Sequence, residues 1–221
     1  MEQRLKHHGL RSDTLDLLDT ASLQAAADQI AQQLRACEQP PILVAHGIAV
    51  PAALRAASLA PPRALVLTNG PTTALDPVLR ALAQIPTAAL TQLMRPRLWL
   101  RWLSSSAGLR RAVINPYVMD RDTVVAVCHD AVSTAQRRAT LAALLKDLSG
   151  TDFSELGYDG PALVVWGDQD PLYPLATVDS LRKRLGQMSL ASIPGGQHLH
   201  PIERPWALAD AVAEWVARPT P

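Results

Sequence analysis

Three short and almost continuous apolar runs constrain the fold of this chain more than any other feature. They cover residues 41–45, 63–68 and 161–166, and each is bounded by Pro or Gly. Unbroken apolar runs of this length are typical of strands in a parallel sheet that is buried on both faces. A fourth run, residues 188–193, has a strand-like composition too. The runs therefore predict a parallel sheet.

Helical patterns lie between and after these runs. Residues 22–36 place apolar side chains at helical spacing, and Ser22 is a suitable N-cap. We also predict helices over residues 50–59, 179–185 and 206–217. Strands that alternate with helices indicate an α/β fold with right-handed crossovers.

The segment from residue 72 to residue 160 interrupts this alternation. It reads as several helices, and Pro77, Pro86, Pro96, Pro116 and Gly150 separate them. An insertion of this length is too long for a loop. We therefore expect a core made of residues 1–71 and 161–221, with a helical cap, residues 72–160, inserted into it.

Composition excludes several classes of protein. The chain has 221 residues, a formal net charge of +1 and 48% hydrophobic residues, as expected for one folded domain. The charge balance indicates neither a nucleic-acid nor a membrane partner, and the longest apolar runs are too short to span a bilayer. Residues 1–20 do not resemble a signal peptide, and the two cysteines, Cys37 and Cys128, are too few for a disulfide framework. The sequence predicts a cytoplasmic protein without metal or cofactor.

The strand over residues 41–45 leads into a tight turn that opens a helix. Gly47 is central in this turn, with the small residues Ala45 and Ala49 two positions away on either side. The pattern resembles the nucleophile elbow of the α/β hydrolases, whose central residue is a serine at positive φ. Glycine adopts positive φ without strain, so we expect that Gly47 keeps the turn and loses the nucleophile.

Two further motifs follow in the order of the same family. Gly167-Asp168-Gln169-Asp170 resembles the strand-end motif whose last Asp orients the histidine, and Gly195-Gly196-Gln197-His198 resembles the loop of the catalytic histidine. The resemblance implies that Asp170 is the acid and His198 the base. It implies in addition that His46, Asp168 and His200 line the pocket.

The resemblance also shows what is missing. The N–H of Ile48 corresponds to one oxyanion donor, but the segment before the elbow is too short for the loop that supplies the other. At least two strands of the family core are therefore absent, which leaves the elbow strand at an open edge. A substitute strand over residues 14–19 or a second subunit would cover that edge.

The predicted cap is basic. From Pro77 to Met119 it contains six arginines and no acidic residue, and Arg95, Arg97 and Arg101 are interleaved with Trp99 and Trp102. One interpretation is a helix that packs its apolar side on the core. The other is a docking surface for an acidic protein, an anionic lipid surface or an acidic ligand.

These observations leave three functions open. In the first, the chain is a catalytically degenerate protein that acts as a binding, accessory or structural subunit. Alternatively, it is a non-covalent enzyme that uses the His–Asp dyad, of lyase, cyclase or decarboxylase type. The third alternative is an esterase or acyl hydrolase relative inactivated by substitution or truncation. As partners we expect a second copy or a protein complex, and a small apolar or anionic ligand under the cap.

Overall fold

A computed structural model describes residues 1–103, 105 and 121–218 of the chain. Its sheet has four parallel strands in the order of the sequence: β1 (Ile42–His46), β2 (Ala64–Thr68), β3 (Tyr158–Gly167) and β4 (Leu185–Ile193). All four runs singled out in the sequence are strands. The predicted α/β class, a short parallel sheet with flanking helices, is confirmed.

One face of the sheet is covered by α2 (Leu23–Ala36) and α3 (Ala49–Leu59). The Ser22 hydroxyl accepts a hydrogen bond from the Ala25 N–H, so the predicted N-cap of α2 is confirmed. Every residue of β2 is buried, as expected for a strand covered on both faces.

The other face carries α1 (Glu2–His7) and the C-terminal helix α10 (Pro205–Val216). Leu5 of α1 packs with Val66 and Val165 of the sheet and with Leu208 of α10. A short helix, α9 (His200–Glu203), directly precedes α10. The first and last helices of the chain therefore close the same side of the core.

Among the described residues between β2 and β3 there are five helices: α4 (Pro77–Ala83), α5 (Thr87–Leu93), α6 (Pro96–Leu103), α7 (Arg121–Val132) and α8 (Ala135–Ser149). Pro77 and Pro96 stand at the first positions of their helices, where a missing N–H costs nothing. A separate apolar cluster joins α4, α5 and α8 through Ala83, Leu90 and Leu145. The division into core and cap stays a prediction, and Pro116 lies outside the described residues.

The helix predicted over residues 179–185 is wrong. The structure has a 3₁₀ helix, Leu175–Ser180, which is followed by turns up to β4. Val178 and Leu181 are buried, and their spacing of three residues suits a 3₁₀ helix. The Arg184 guanidinium, which donates to the carbonyl groups of Phe153, Leu156 and Thr72, fixes the chain just before the strand.

The substitute strand over residues 14–19 is also wrong. The Asp16 carboxylate accepts a hydrogen bond from the Leu18 N–H, and the Thr20 N–H donates to the Leu17 carbonyl. These turns replace an extended backbone. Leu15 and Leu17 nevertheless pack against the core.

The elbow strand therefore lies at an edge of the sheet. Within the described part of the chain, β1 pairs only with β2. Val44, in the middle of β1, is 37% exposed. None of the described helices is long and apolar enough to cross a membrane.

Candidate active site

The turn between β1 and α3 has the geometry that the sequence predicts. Gly47 has a φ of +59°, in the left-handed region that favours glycine. Its N–H is shared between the carbonyl groups of Thr68 and Asn69, at 3.2 and 3.0 Å. An ideal Cβ on Gly47 would lie 3.6 Å from Nε2 of His198. The side chain of a residue here would therefore point at the imidazole.

Asp170 lies after β3 and is 3% exposed. Its Oδ2 accepts hydrogen bonds from Asn69 Nδ2 at 2.5 Å and from His198 Nδ1 at 3.0 Å. Its Oδ1 accepts from the N–H groups of Leu172 and Tyr173. Burial raises the pKa of Asp170, but the hydrogen bonds outweigh burial, so the pKa lies below its ordinary value. The carboxyl group is thus held as a carboxylate.

His198 occupies the loop after β4, and its side chain is 12% exposed. Because Nδ1 carries the proton donated to Asp170, Nε2 of the neutral ring has a free lone pair on the side of Gly47. The backbone of this loop is also held in place, since Nε2 of His46 donates to the His198 carbonyl at 2.7 Å. The imidazole is therefore oriented at both its ring and its backbone.

His46 is a neutral donor in this arrangement. Burial, together with the neighbouring His198, lowers the pKa of His46 to about 3. The two rings are 4.9 Å apart between centroids. The role predicted for His46 was to line the pocket, and its contact to the His198 backbone adds a supporting role.

His200 and Asp168 take different places from His198. His200 is fully buried, and its Nε2 lies 2.5 Å from the Thr68 hydroxyl. Burial, with His198 nearby, lowers the pKa of His200 to about 4. Asp168 is exposed and accepts a hydrogen bond from the Gly195 N–H. These two side chains support the histidine loop, and their predicted place in the pocket stays a prediction.

Asn69 is the residue of this site that the sequence analysis missed. It follows β2 directly, is fully buried and has a φ of +34°. Its Oδ1 accepts from the Gly167 N–H at 2.8 Å, while its Nδ2 donates to Asp170. An Asn at the end of a buried strand, followed by Gly70, was the available signal.

The oxyanion side of the site has one predicted donor, the N–H of Ile48 at the start of α3. The chain has a His-Gly pair near its N-terminus, His8-Gly9, on the side of the sheet that α1 and α10 cover. His8 follows α1 and its Nε2 contacts the Asp210 carboxylate on α10. The predicted donor, Ile48, thus lies at the N-terminus of α3, whereas α1 packs on the opposite face of the sheet.

The predicted docking surface is described in part. Arg95, Arg97 and Arg101 are exposed, and Leu98 of α6 is 55% exposed. The side chains of Trp99 and Trp102 lie outside the described residues. Whether this surface docks a partner stays a prediction.

The chemistry of the site follows from these contacts. A neutral His198, paired with a carboxylate, is suited to take a proton from a group placed at its Nε2. Gly47 supplies no hydroxyl or thiol there, so covalent catalysis from the elbow is not available to this chain.

Solved structures of several proteins are similar to this chain in fold. A protein of α/β-hydrolase fold from Burkholderia ambifaria superposes with a TM-score of 0.69 at 23% identity, over 91% of this chain and 74% of that one. An esterase from Thermogutta terrifontis gives a TM-score of 0.67 at 18% identity, over 89% and 72%. The 2-hydroxy-6-oxo-6-phenylhexa-2,4-dienoate hydrolase of a Rhodococcus strain gives 0.64 at 18%, over 94% and 75%. No protein-family model and no curated protein matches the sequence.

Proposed function

We propose that this chain, which has the α/β-hydrolase fold, binds a small ligand at His198 and does not form an acyl-enzyme. The observation that carries the proposal is the position of Gly47. A side chain at this position would point at His198, because its Cβ would lie 3.6 Å from Nε2. The turn at Gly47 and the His198–Asp170 pair support the proposal, because glycine stands where a nucleophile would face His198.

The loss of the nucleophile has a large expected effect. In serine hydrolases, the serine, histidine and acid act as a unit, so that removing the serine alone lowers kcat by about 10⁶-fold. Here the oxyanion side has the Ile48 N–H as its predicted donor. A second donor would contribute about 3 kcal/mol of transition-state stabilisation. The chain therefore retains a binding site in which the covalent step has no attacking atom.

The ligand is small and either apolar or anionic. Neutral His198 accepts a hydrogen bond from a hydroxyl group at Nε2, and protonated His198 pairs with a carboxylate. Support for an anion comes from the similar esterase of Thermogutta terrifontis, which was solved with malate bound. The positive charges of the exposed arginines at positions 95, 97 and 101 attract anionic ligands.

The test is hydrolysis of 4-nitrophenyl acetate by the full chain. We expect no burst of nitrophenol and a rate equal to that of the His198→Ala variant. A burst that disappears in His198→Ala would overturn the proposal. Mass spectrometry of what copurifies with the chain then identifies the ligand, and we expect His198→Ala to lose it.

A second candidate is non-covalent catalysis by the His–Asp dyad. It is favoured by the carboxylate of Asp170, which is satisfied at both oxygens and leaves His198 Nε2 directed at the open position beside Gly47. Such a base takes a proton from water or from an acidic C–H group. Deuterium exchange into carbon acids in D₂O, lost in His198→Ala, would favour this candidate over simple binding.

The chain's partners are part of the same proposal. The strand β1 lies at an edge of the described sheet, and a second copy or another subunit would cover it. The Arg95–Arg101 region is the other candidate for such contact. The cytoplasmic location stays a prediction.

A further inference from the structure

Asn69 connects three parts of the site through three hydrogen-bonding groups. Its backbone carbonyl accepts from the Gly47 N–H of the elbow at 3.0 Å. Its side-chain Oδ1 accepts from the Gly167 N–H at the end of β3. Its Nδ2 donates to Asp170 Oδ2, the same oxygen that His198 contacts. One fully buried residue therefore touches the elbow, the end of β3 and the acid.

The chemistry of these contacts is specific for an amide. One side must offer an acceptor to a backbone N–H and the other a donor to a carboxylate, on a single planar group. An aspartate at this position would place a second carboxylate against Asp170, and two carboxylates at this distance share a proton. The orientation of the amide is thereby fixed, since the flipped amide would face an N–H with NH₂ and a carboxylate with oxygen.

We infer that Asn69 is a positioning residue, which fixes the rotamer of Asp170 and through it the orientation of the His198 ring. The backbone supports this role, because Asn tolerates the φ of +34° better than most residues. Leu172 and Tyr173 hold Oδ1 from one side, and Asn69 holds Oδ2 from the other. Without Asn69, the carboxylate keeps the Oδ1 donors and loses the neutral donor that sets the place of Oδ2.

The inference deepens the proposed function, since both concern the His198–Asp170 pair. The positioning role of Asn69 does not require that the chain catalyse a reaction. Hydrolysis by the unmodified chain would overturn the proposed function and leave this inference intact. A His198 Nδ1–H resonance that does not respond to substitution of Asn69 would overturn this inference and leave the proposed function intact.

The experiment records the Nδ1–H proton of His198 by NMR on the ¹⁵N-labelled full chain. We expect a resolved low-field resonance for the unmodified chain. Asn69→Gly keeps the backbone conformation without strain and removes the side chain. We expect this variant to keep its amide spectrum elsewhere and to lose the low-field resonance, because Asp170 Oδ2 no longer has the donor that holds it opposite His198 Nδ1.

Asn69→Asp is the matched variant, since it has nearly the same shape. Protonated, the introduced carboxyl donates to Asp170 as the amide does; ionised, it repels Asp170. We expect the low-field resonance to be present at low pH and lost as the pH rises through the titration of the carboxyl pair.

The outcomes separate a positioning role from a structural one. A low-field resonance that is unchanged in Asn69→Gly would overturn the inference. If Asn69→Gly does not fold, Asn69→Asp decides. A resonance that is independent of pH in that variant would overturn the inference, and a pH-dependent one supports it.

Discussion

Nε2 of His198 lies 3.6 Å from the position that a Cβ would occupy on Gly47. The backbone of Gly47 has the positive φ of an elbow, and the ring of His198 is held by Asp170. His198 is therefore directed at a residue that has no side-chain proton to give. Binding, non-covalent catalysis and inactivation are all compatible with this relationship, and it makes the site open to experiment by a single substitution.

Replacing Gly47 with serine should restore a reactive group without restoring an efficient enzyme. The hydroxyl would lie within reach of His198, while the positive φ costs about 1–2 kcal/mol for a side chain. We expect Gly47→Ser to be labelled covalently by a fluorophosphonate and to hydrolyse 4-nitrophenyl acetate only weakly. Gly47→Ala, which has the same strain, should not be labelled. Labelling should be lost when His198→Ala is added, and strong ester turnover by Gly47→Ser would contradict the expected lack of a second oxyanion donor.

Gly70 should tolerate no side chain. An ideal Cβ there would clash with the Gly47 carbonyl and lie 2.6 and 2.8 Å from carbons of Val50. We expect Gly70→Ala to lower the free energy of unfolding by about 1–3 kcal/mol, as overpacking typically does. Gly150→Ala is the control, because its nearest neighbour would be 3.8 Å away. Urea unfolding measures both, and equal midpoints would contradict the close approach of β2 to the elbow.

The chain should lose stability as the pH falls from about 6.5 towards 4. His200 and His46 have pKa values lowered to about 4 and about 3, mainly by burial, against about 6.5 in the unfolded chain. Below pH 6.5 the unfolded state binds protons that the folded state does not, at a cost of up to about 1.4 kcal/mol per pH unit for each histidine. The contribution of these two neutral histidines to the free energy of unfolding is fully present above about pH 6.5. Asp170, whose pKa is also lowered, adds to the loss only below its ordinary value.

Urea unfolding at a series of pH values measures this effect. His200→Gln should flatten the dependence, because it removes one of the two buried imidazoles. Constant stability of the unmodified chain between pH 7 and 4 would show that these histidines are accessible to protons in the fold.

The open edge of β1 should lead to assembly. We expect the purified chain to sediment as an oligomer at micromolar concentration, since an apolar edge strand exposes unpaired backbone groups. Val44→Lys should favour the monomer, because a charge at this 37% exposed residue of the edge strand disfavours pairing. Val78→Lys is the control, since Val78 is exposed on α4. A monomeric unmodified chain would contradict the expected assembly.

The sequence predicted the strands, the Ser22 cap and the positive φ of Gly47 because each depends on residues that are close in the chain. The 3₁₀ helix at Leu175–Ser180 escaped prediction because the burial of Val178 and Leu181, three residues apart, depends on packing against the core. Residues 14–19 carry apolar side chains that suit a strand or a packed turn equally well, and Asp16 decided for the turn.

The sequence by itself determined the order of the elbow, the acid and the histidine, and the missing nucleophile. Only the tertiary structure brought Asn69 to Asp170 and His46 to the His198 carbonyl, across 101 and 152 residues of chain. The burial that keeps His46 and His200 neutral was also decided there. The physical reason is that hydrogen bonds between strand ends, and the desolvation that accompanies them, depend on which strands are neighbours in the sheet, and no local pattern of residues specifies those contacts.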